Sequence, residues 1–210
     1  VLRRVGKYDK AINLHIALLN KREITAEQKD SIKAELAQDY FKAGLYDRSE
    51  ELLLSLTKDN YEQFKLNTLL EIYVKERDWE KAVKMASQLE KISGVSFRKE
   101  ISHYYCEMAV SMIISKKYSD GSKFLLQAIE EHKNCVRANI LLGDVRESQG
   151  MIDEAISYWR KIEYQKPEYL GLVASKIIKA YQAEGKINDG LSILSRYYDL
   201  YNLRTLLNVL

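Results

Sequence analysis

The stretch "DYFKAGLYDRSEELL", residues 39–53, decides the fold. It reads as the end of one helix, a glycine turn at Gly44, an aromatic anchor at Tyr46, a small residue at Ser49 and then a leucine-rich second helix. Glycine supplies the positive φ that a tight helix–helix turn needs. The same phasing recurs at Gly6 with Tyr8, Arg77 with Trp79, Lys116 with Tyr118, Gly150 with Ile152, and Gly185 with Ile187. Three residues beyond each anchor stands Ala11, Ser49, Ala82, Gly121, Ala155 or Gly190, all of them small. A short side chain is needed where the second helix of a pair crosses the first at close range.

The small residues recur at intervals of 33 to 39 positions. That is the period of the tetratricopeptide helical hairpin. Upstream, Ala37, Ala109 and Gly143 thin the first helix at the same crossing, while Leu70 and Ile178 depart from the pattern. Tyr40, Tyr73 and Tyr181 are expected to fill the space between helices. One residue after each anchor stand Asp9, Asp47, Glu80, Ser119, Asp153 and Asn188, five of the six being of a type expected to cap the second helices. The fold class is therefore all-α, a superhelical solenoid of antiparallel pairs in one array over 1–210. It comprises a half repeat at 1–20, repeats at about 27–57, 62–92, 97–132, 135–165 and 168–199, and the start of a further one at 202–210. "KISGVS" is the one soft joint, and it is not taken as a domain boundary.

Composition agrees. One proline and nine glycines in 210 residues, with 46% hydrophobic and 30% charged residues, describe a helical globular chain. A net charge of +3 with interspersed signs gives no basic face for nucleic acid. The two cysteines, Cys106 and Cys135, form no CxxC pair and are expected to be reduced, packed thiols. No apolar run reaches the ~20 residues of a membrane helix. The chain begins at Val1 and ends within a helical pattern, so it is expected to be part of a longer protein.

No phosphate-cradling loop, GxSxG, HExxH or EF-hand sequence is present, and no catalytic residue is assigned. His15 is expected to pack on an apolar face, and His132 falls near a helix C-terminus. His103 and Cys106, three apart on one helix, share a face. Two ligands make a weak metal motif, and a packed or hydrogen-bonding pair is the preferred reading, so no metal site is assigned. An enzyme would need a formed pocket with perturbed titratable groups at that surface.

Helical-hairpin arrays bind partners along the face lined by their first helices. Extrapolated phase puts Lys42, Asn67, Glu71, Lys75, His103, Cys106, Arg137, Asp144, Glu147, Lys179 and Gln182 there, with Gln38, Phe41, Phe64, Val110 and Ser175 alongside. Their mixed charge suits a protein partner of mixed charge. The Lys/Asn pairs, four apart, that clamp a C-terminal carboxylate do not occur at the equivalent positions. The aromatic "SRYYDLYNLRTLL", 195–207, is a candidate surface for a homodimer or for burial under a further module.

"AGLYDRSEELL", followed at the right distance by "HYYCEMA", with "RDWEKAVKMASQLEKI" between and "GKYDKAINLHIALL" and "HKNCVRANILLGDV" on either side, resembles the lipopolysaccharide assembly protein B (LapB/YciM) family. The resemblance implies a non-catalytic adaptor that regulates lipid A synthesis by promoting degradation of the deacetylase LpxC by the protease FtsH. It implies a location on the cytoplasmic side of the bacterial inner membrane, with membrane attachment through an N-terminal helix. It also implies a rubredoxin-like iron or zinc knuckle of two CxxC pairs in a C-terminal module. This chain holds neither the helix nor the knuckle, and no cofactor is assigned to it. The alternative is a generic repeat scaffold for an envelope or secretion complex.

Overall fold

The computed structural model describes residue 3 and residues 6–202. Every regular element among them is helical: α1 (Tyr8–Leu19), α2 (Ala26–Lys42), α3 (Tyr46–Leu54), α4 (Glu62–Glu76), α5 (Trp79–Ser93), α6 (Arg98–Ile114), α7 (Tyr118–Glu131), α8 (Val136–Ser148), α9 (Ile152–Arg160), the four-residue α10 (Ile162–Gln165), α11 (Ala174–Ala183) and α12 (Ile187–Tyr201). Short 3-10 turns precede α4 and α11, the second beginning at Pro167. The chain divides into two compact units, Val1–Phe97 and Arg98–Leu210. In the first, α1 packs on the pair α2/α3, which is followed by α4/α5. In the second, α6/α7, α8/α9 and α11/α12 pack in succession. The further repeat expected at 202–210 falls almost wholly outside the described residues.

Each anchor opens a helix: Tyr8, Tyr46, Trp79, Tyr118, Ile152 and Ile187 are first residues of α1, α3, α5, α7, α9 and α12. The residue two before each anchor is left-handed, with φ of 70° at Gly6, 77° at Gly44, 60° at Arg77, 58° at Lys116, 76° at Gly150 and 72° at Gly185. In the five complete hairpins the next amide closes the turn. Leu45, Asp78, Lys117, Met151 and Lys186 donate to the carbonyls of Tyr40, Tyr73, Met112, Arg146 and Tyr181, five residues back. This is the Schellman closure of a helix C-terminus.

That closure corrects the expected caps. The residue that closes the first helix is also the N-cap of the second, so the cap lies one position before the anchor. Only Asp78 uses its side chain there, accepting from the Lys81 amide. Asp9, Asp47, Glu80 and Asp153 are instead in the first turn, where a negative charge favours the helix N-terminus.

Two of the six turns lack glycine. A side chain in the left-handed region costs roughly 1–2 kcal/mol. Arg77→Gly and Lys116→Gly are each expected to stabilise the chain by roughly 0.5 to 1 kcal/mol, the gain being partly offset by the freer unfolded glycine. Urea denaturation followed by circular dichroism measures this. A loss of stability in both variants would contradict the turn geometry.

The small residues are where the period puts them. Ala82 and Ala155 are fully buried and Ala11 nearly so. Ser49 is buried and donates to the Ala37 carbonyl at 2.8 Å. A Cβ on Gly121 would stand 2.9 Å from Ile113, and one on Gly190 3.0 Å from Tyr181. At Gly143 it would stand 2.2 Å from Nε1 of Trp159, whose ring is wholly buried. The two widest intervals coincide with the longest first helices, α2 and α6, 17 residues each. Α2 is closed at its start by a capping box between Thr25 and Gln28.

Buried acids complete the core. Asp39, the first residue of the stretch quoted above, is fully buried and accepts from Arg3 Nε at 2.5 Å and His15 Nδ1 at 2.6 Å. His15 therefore pairs with a carboxylate rather than simply packing on an apolar face. Glu163 of α10 is buried and takes Arg196 Nη2 of α12 at 2.9 Å, fixing the short helix onto the last pair.

Candidate partner-binding surface

The exposed faces of the first helices carry most of the residues assigned to binding. In the first unit, Asn67, Glu71 and Lys75 lie four apart on α4 and are all exposed, a stripe one residue wide. Lys42, at the end of α2, is exposed with its ammonium 5.0 Å from the centroid of the Phe41 ring. Phe41 itself is buried, so it supports this surface from beneath rather than lining it.

In the second unit the assigned residues lie on α6, α8 and α11. Arg137 of α8 reaches back to α6. Its Nη1 donates to Glu107 Oε1 at 2.5 Å and to His103 Nδ1 at 3.2 Å, the latter requiring a neutral imidazole nitrogen. Asp144 of α8 reaches forward. Its Oδ1 accepts from Lys176 Nζ of α11 at 2.6 Å and from the Trp159 indole at 3.2 Å. Arg137 and Asp144 thus belong to polar ties between successive hairpins. Glu147, Lys179 and Gln182 are exposed on the same helices.

Cys106 is a correction. Its side chain is fully buried, so it is not a surface residue. It does not pair with His103 but faces Cys135, sulfur to sulfur, at 3.8 Å. The helical spacing of three placed the two side chains on neighbouring stripes, and the packing of α7 and α8 over α6 covers one and leaves the other in solvent. Glu107 and Lys176, absent from the reading of the sequence, complete the two ties; Glu107 lies four residues beyond His103, which is the one local sign of it. Among the described residues no group of three or more His, Cys, Asp or Glu side chains gathers to hold a metal ion, and no helix is long and apolar enough to cross a membrane. The C-terminal aromatic stretch continues past residue 202 and is in part outside the described residues.

Consecutive hairpins closed by left-handed turns, crossing at small residues and exposing polar stripes on their first helices, make this an all-α protein of the tetratricopeptide-repeat class. The chain is similar to lipopolysaccharide assembly protein B of Escherichia coli K12, with 30% identity over 197 residues that cover 93% of this chain and 51% of the relative. It is similar also to the protein of that name from Haemophilus influenzae, with 29% identity over 203 residues, 96% of this chain and 51% of the relative. The resemblance read from the sequence is borne out, and the chain spans about half the length of the curated relatives it matches. A repeat-family model described as PPR repeat matches residues 66–92, within α4/α5. Among solved structures, MamA aligns with a TM-score of 0.49 at 17% identity, over 81% of this chain and 90% of that one. YrrB, a TPR protein with an unusual peptide-binding site, aligns with a TM-score of 0.47 at 16% identity, over 95% and 94%.

Proposed function

We propose that this chain is the non-catalytic, partner-binding repeat region of an adaptor that regulates lipopolysaccharide synthesis. In this reading it presents the deacetylase LpxC to the protease FtsH at the cytoplasmic face of the inner membrane. The observation that supports it is the similarity to lipopolysaccharide assembly protein B along nearly the whole chain. Polar stripes on the first helices supply a surface on which such a partner could be gripped.

The test is capture of LpxC and FtsH by the full-length protein that carries this chain. Lys75→Glu with Lys179→Glu reverses one exposed charge in each unit and touches neither inter-hairpin tie. Arg137 is avoided because it holds Glu107. The double variant is expected to capture at least about tenfold less of one partner, since a single interface hot spot is worth about 1.4 kcal/mol or more. Undiminished capture would remove the first-helix faces from the interface. Deleting the gene is expected to raise the LpxC level. An unchanged level would remove the pathway and leave a generic envelope scaffold.

A further inference from the structure

Cys106 lies in the middle of α6 and Cys135 is the N-cap residue of α8, one hairpin further on. The intervening α7 brings their sulfurs to 3.8 Å, and both are free thiols. Their surroundings differ. Cys106 is wholly buried. Cys135 is half-buried and lines an open cleft of about 470 Å³ in the second unit. Apolar side chains such as Val136, Ile140 and Leu172 form part of its wall, and Lys99, His132 and Arg137 carry its polar side. A small apolar or amphiphilic oxidant entering the cleft meets Cys135 and cannot meet Cys106.

We propose that Cys135 and Cys106 form a peroxide-reactive thiol pair, Cys135 the attacking thiolate and Cys106 the resolving thiol. The Cys135 thiolate attacks the outer oxygen of a hydroperoxide. A sulfur–oxygen bond forms, the oxygen–oxygen bond breaks, and the alkoxide leaves and takes up a proton as the alcohol. Cys135 is then a sulfenic acid. The Cys106 sulfur attacks the Cys135 sulfur. The sulfur–sulfur bond forms, the sulfur–oxygen bond breaks, and hydroxide departs with the Cys106 proton as water. Two thiols and one hydroperoxide give one disulfide, one alcohol and one water, the two electrons passing from sulfur to the peroxide. The bond joins α6 to the start of α8.

The electrostatics divide the roles in the same sense. The Cys106 S–H directed at Cys135, joined by the Ala138 amide at the start of α8, draws the Cys135 thiol well below its ordinary range, against the opposing effect of burial. Giving up that hydrogen bond, together with burial, pushes the Cys106 thiol up. His132 lowers Cys135 further, and Arg137 and Glu107 act on Cys106 in opposite directions. Lys99 and Lys166 stand on the same cleft. Closing the bond requires the sulfurs to approach from 3.8 Å to ~2.05 Å. Cys135 lies outside the helix, at the end of the short turn after His132, and has the freedom to make that approach.

The test uses the reduced chain exposed to a few equivalents of hydrogen peroxide or cumene hydroperoxide, then alkylated with iodoacetamide in denaturant, so that the buried thiol is reached, and mapped by mass spectrometry. The expected product loses two hydrogens, carries a Cys106–Cys135 crosslink within one molecule, and regains both thiols with a dithiol reductant. Cys106→Ser should stop at a Cys135 sulfenic acid trapped by dimedone. Cys106→Ala should do the same and leaves no buried hydroxyl that could upset the fold. Cys135→Ser should leave Cys106 unoxidised. Below pH 8, alkylation of an ordinary thiol slows about tenfold per pH unit; that of Cys135 should change less than threefold from pH 8 to pH 6. Two thiols still open to alkylation after peroxide, a crosslink only between molecules, or an ordinary pH profile at Cys135 would each overturn the proposal.

Discussion

Replacing Gly143 by leucine is expected to unfold the second unit or to weaken it by about 3 kcal/mol or more, the upper range for overpacking a filled core. Even the first added carbon would stand 2.2 Å from Trp159 Nε1. The ring has no room to yield, being wholly buried among Ala155, Ile156, Ile162 and Leu170. Moving it also breaks its bonds to the Ile140 carbonyl at 3.3 Å and to Asp144 at 3.2 Å. Asp144 then loses one of the two donors that orient it toward Lys176 of the next hairpin. The damage therefore passes from α8/α9 to α11/α12. Urea unfolding followed by circular dichroism measures the loss. Gly143→Ala combined with Trp159→Leu should lose less than the two single changes together, because the smaller side chain vacates the space the methyl needs. Additive losses would show that the two residues do not share that space.

Asp39→Ala should cost about 3 kcal/mol, the lower end for breaking a buried ion pair. The carboxylate is fully buried, whereas Arg3 and His15 retain 26% and 19% side-chain exposure. Water can reach the abandoned cations in part, which keeps the cost from rising further. The loss should be read as a fall in the melting temperature of the first unit of roughly 12 to 24 °C, given ~4–8 °C per kcal/mol for a unit of this size. Asp39→Asn, which keeps one acceptor oxygen, turns the other into an amide donor and carries no charge, should lie between the wild type and Asp39→Ala. A change of less than about 0.5 kcal/mol for Asp39→Ala would place the triad among ordinary surface pairs.

What could be read from the sequence follows from what a repeat fixes. One period specifies one hairpin: the left-handed turn, the helix start and the small residue at the crossing. All six turns, from Gly6 to Gly185, carry that signature in residue type or in φ. Arg77 and Lys116 were found by phase alone, where glycine was missing. The cap assignments failed because one residue serves two helices at each turn, a geometric economy that residue preferences do not reveal. Contacts between hairpins were not legible. Asp39 finds partners 36 and 24 residues away in Arg3 and His15, and nothing in "DYFKAG" marks its acid as buried. Cys106 and Cys135 lie 29 residues apart, less than one period, and depend on how α7 lies across α6. Of the candidate surface, the solvent-facing phase of α4 was legible. The engagement of Arg137 and Asp144 in ties between hairpins was not, because each needs a partner on a helix whose rotation the sequence leaves open.

The chain contains only two tryptophans, and the domain division assigns one to each unit: Trp79 opens α5 and Trp159 closes over Gly143. Trp79 is half-buried and Trp159 is sealed from solvent. Their emission colours should differ accordingly, so the protein bears an intrinsic optical label on each half. Swapping either indole for phenylalanine silences one label and lets the melting of the other half be watched alone.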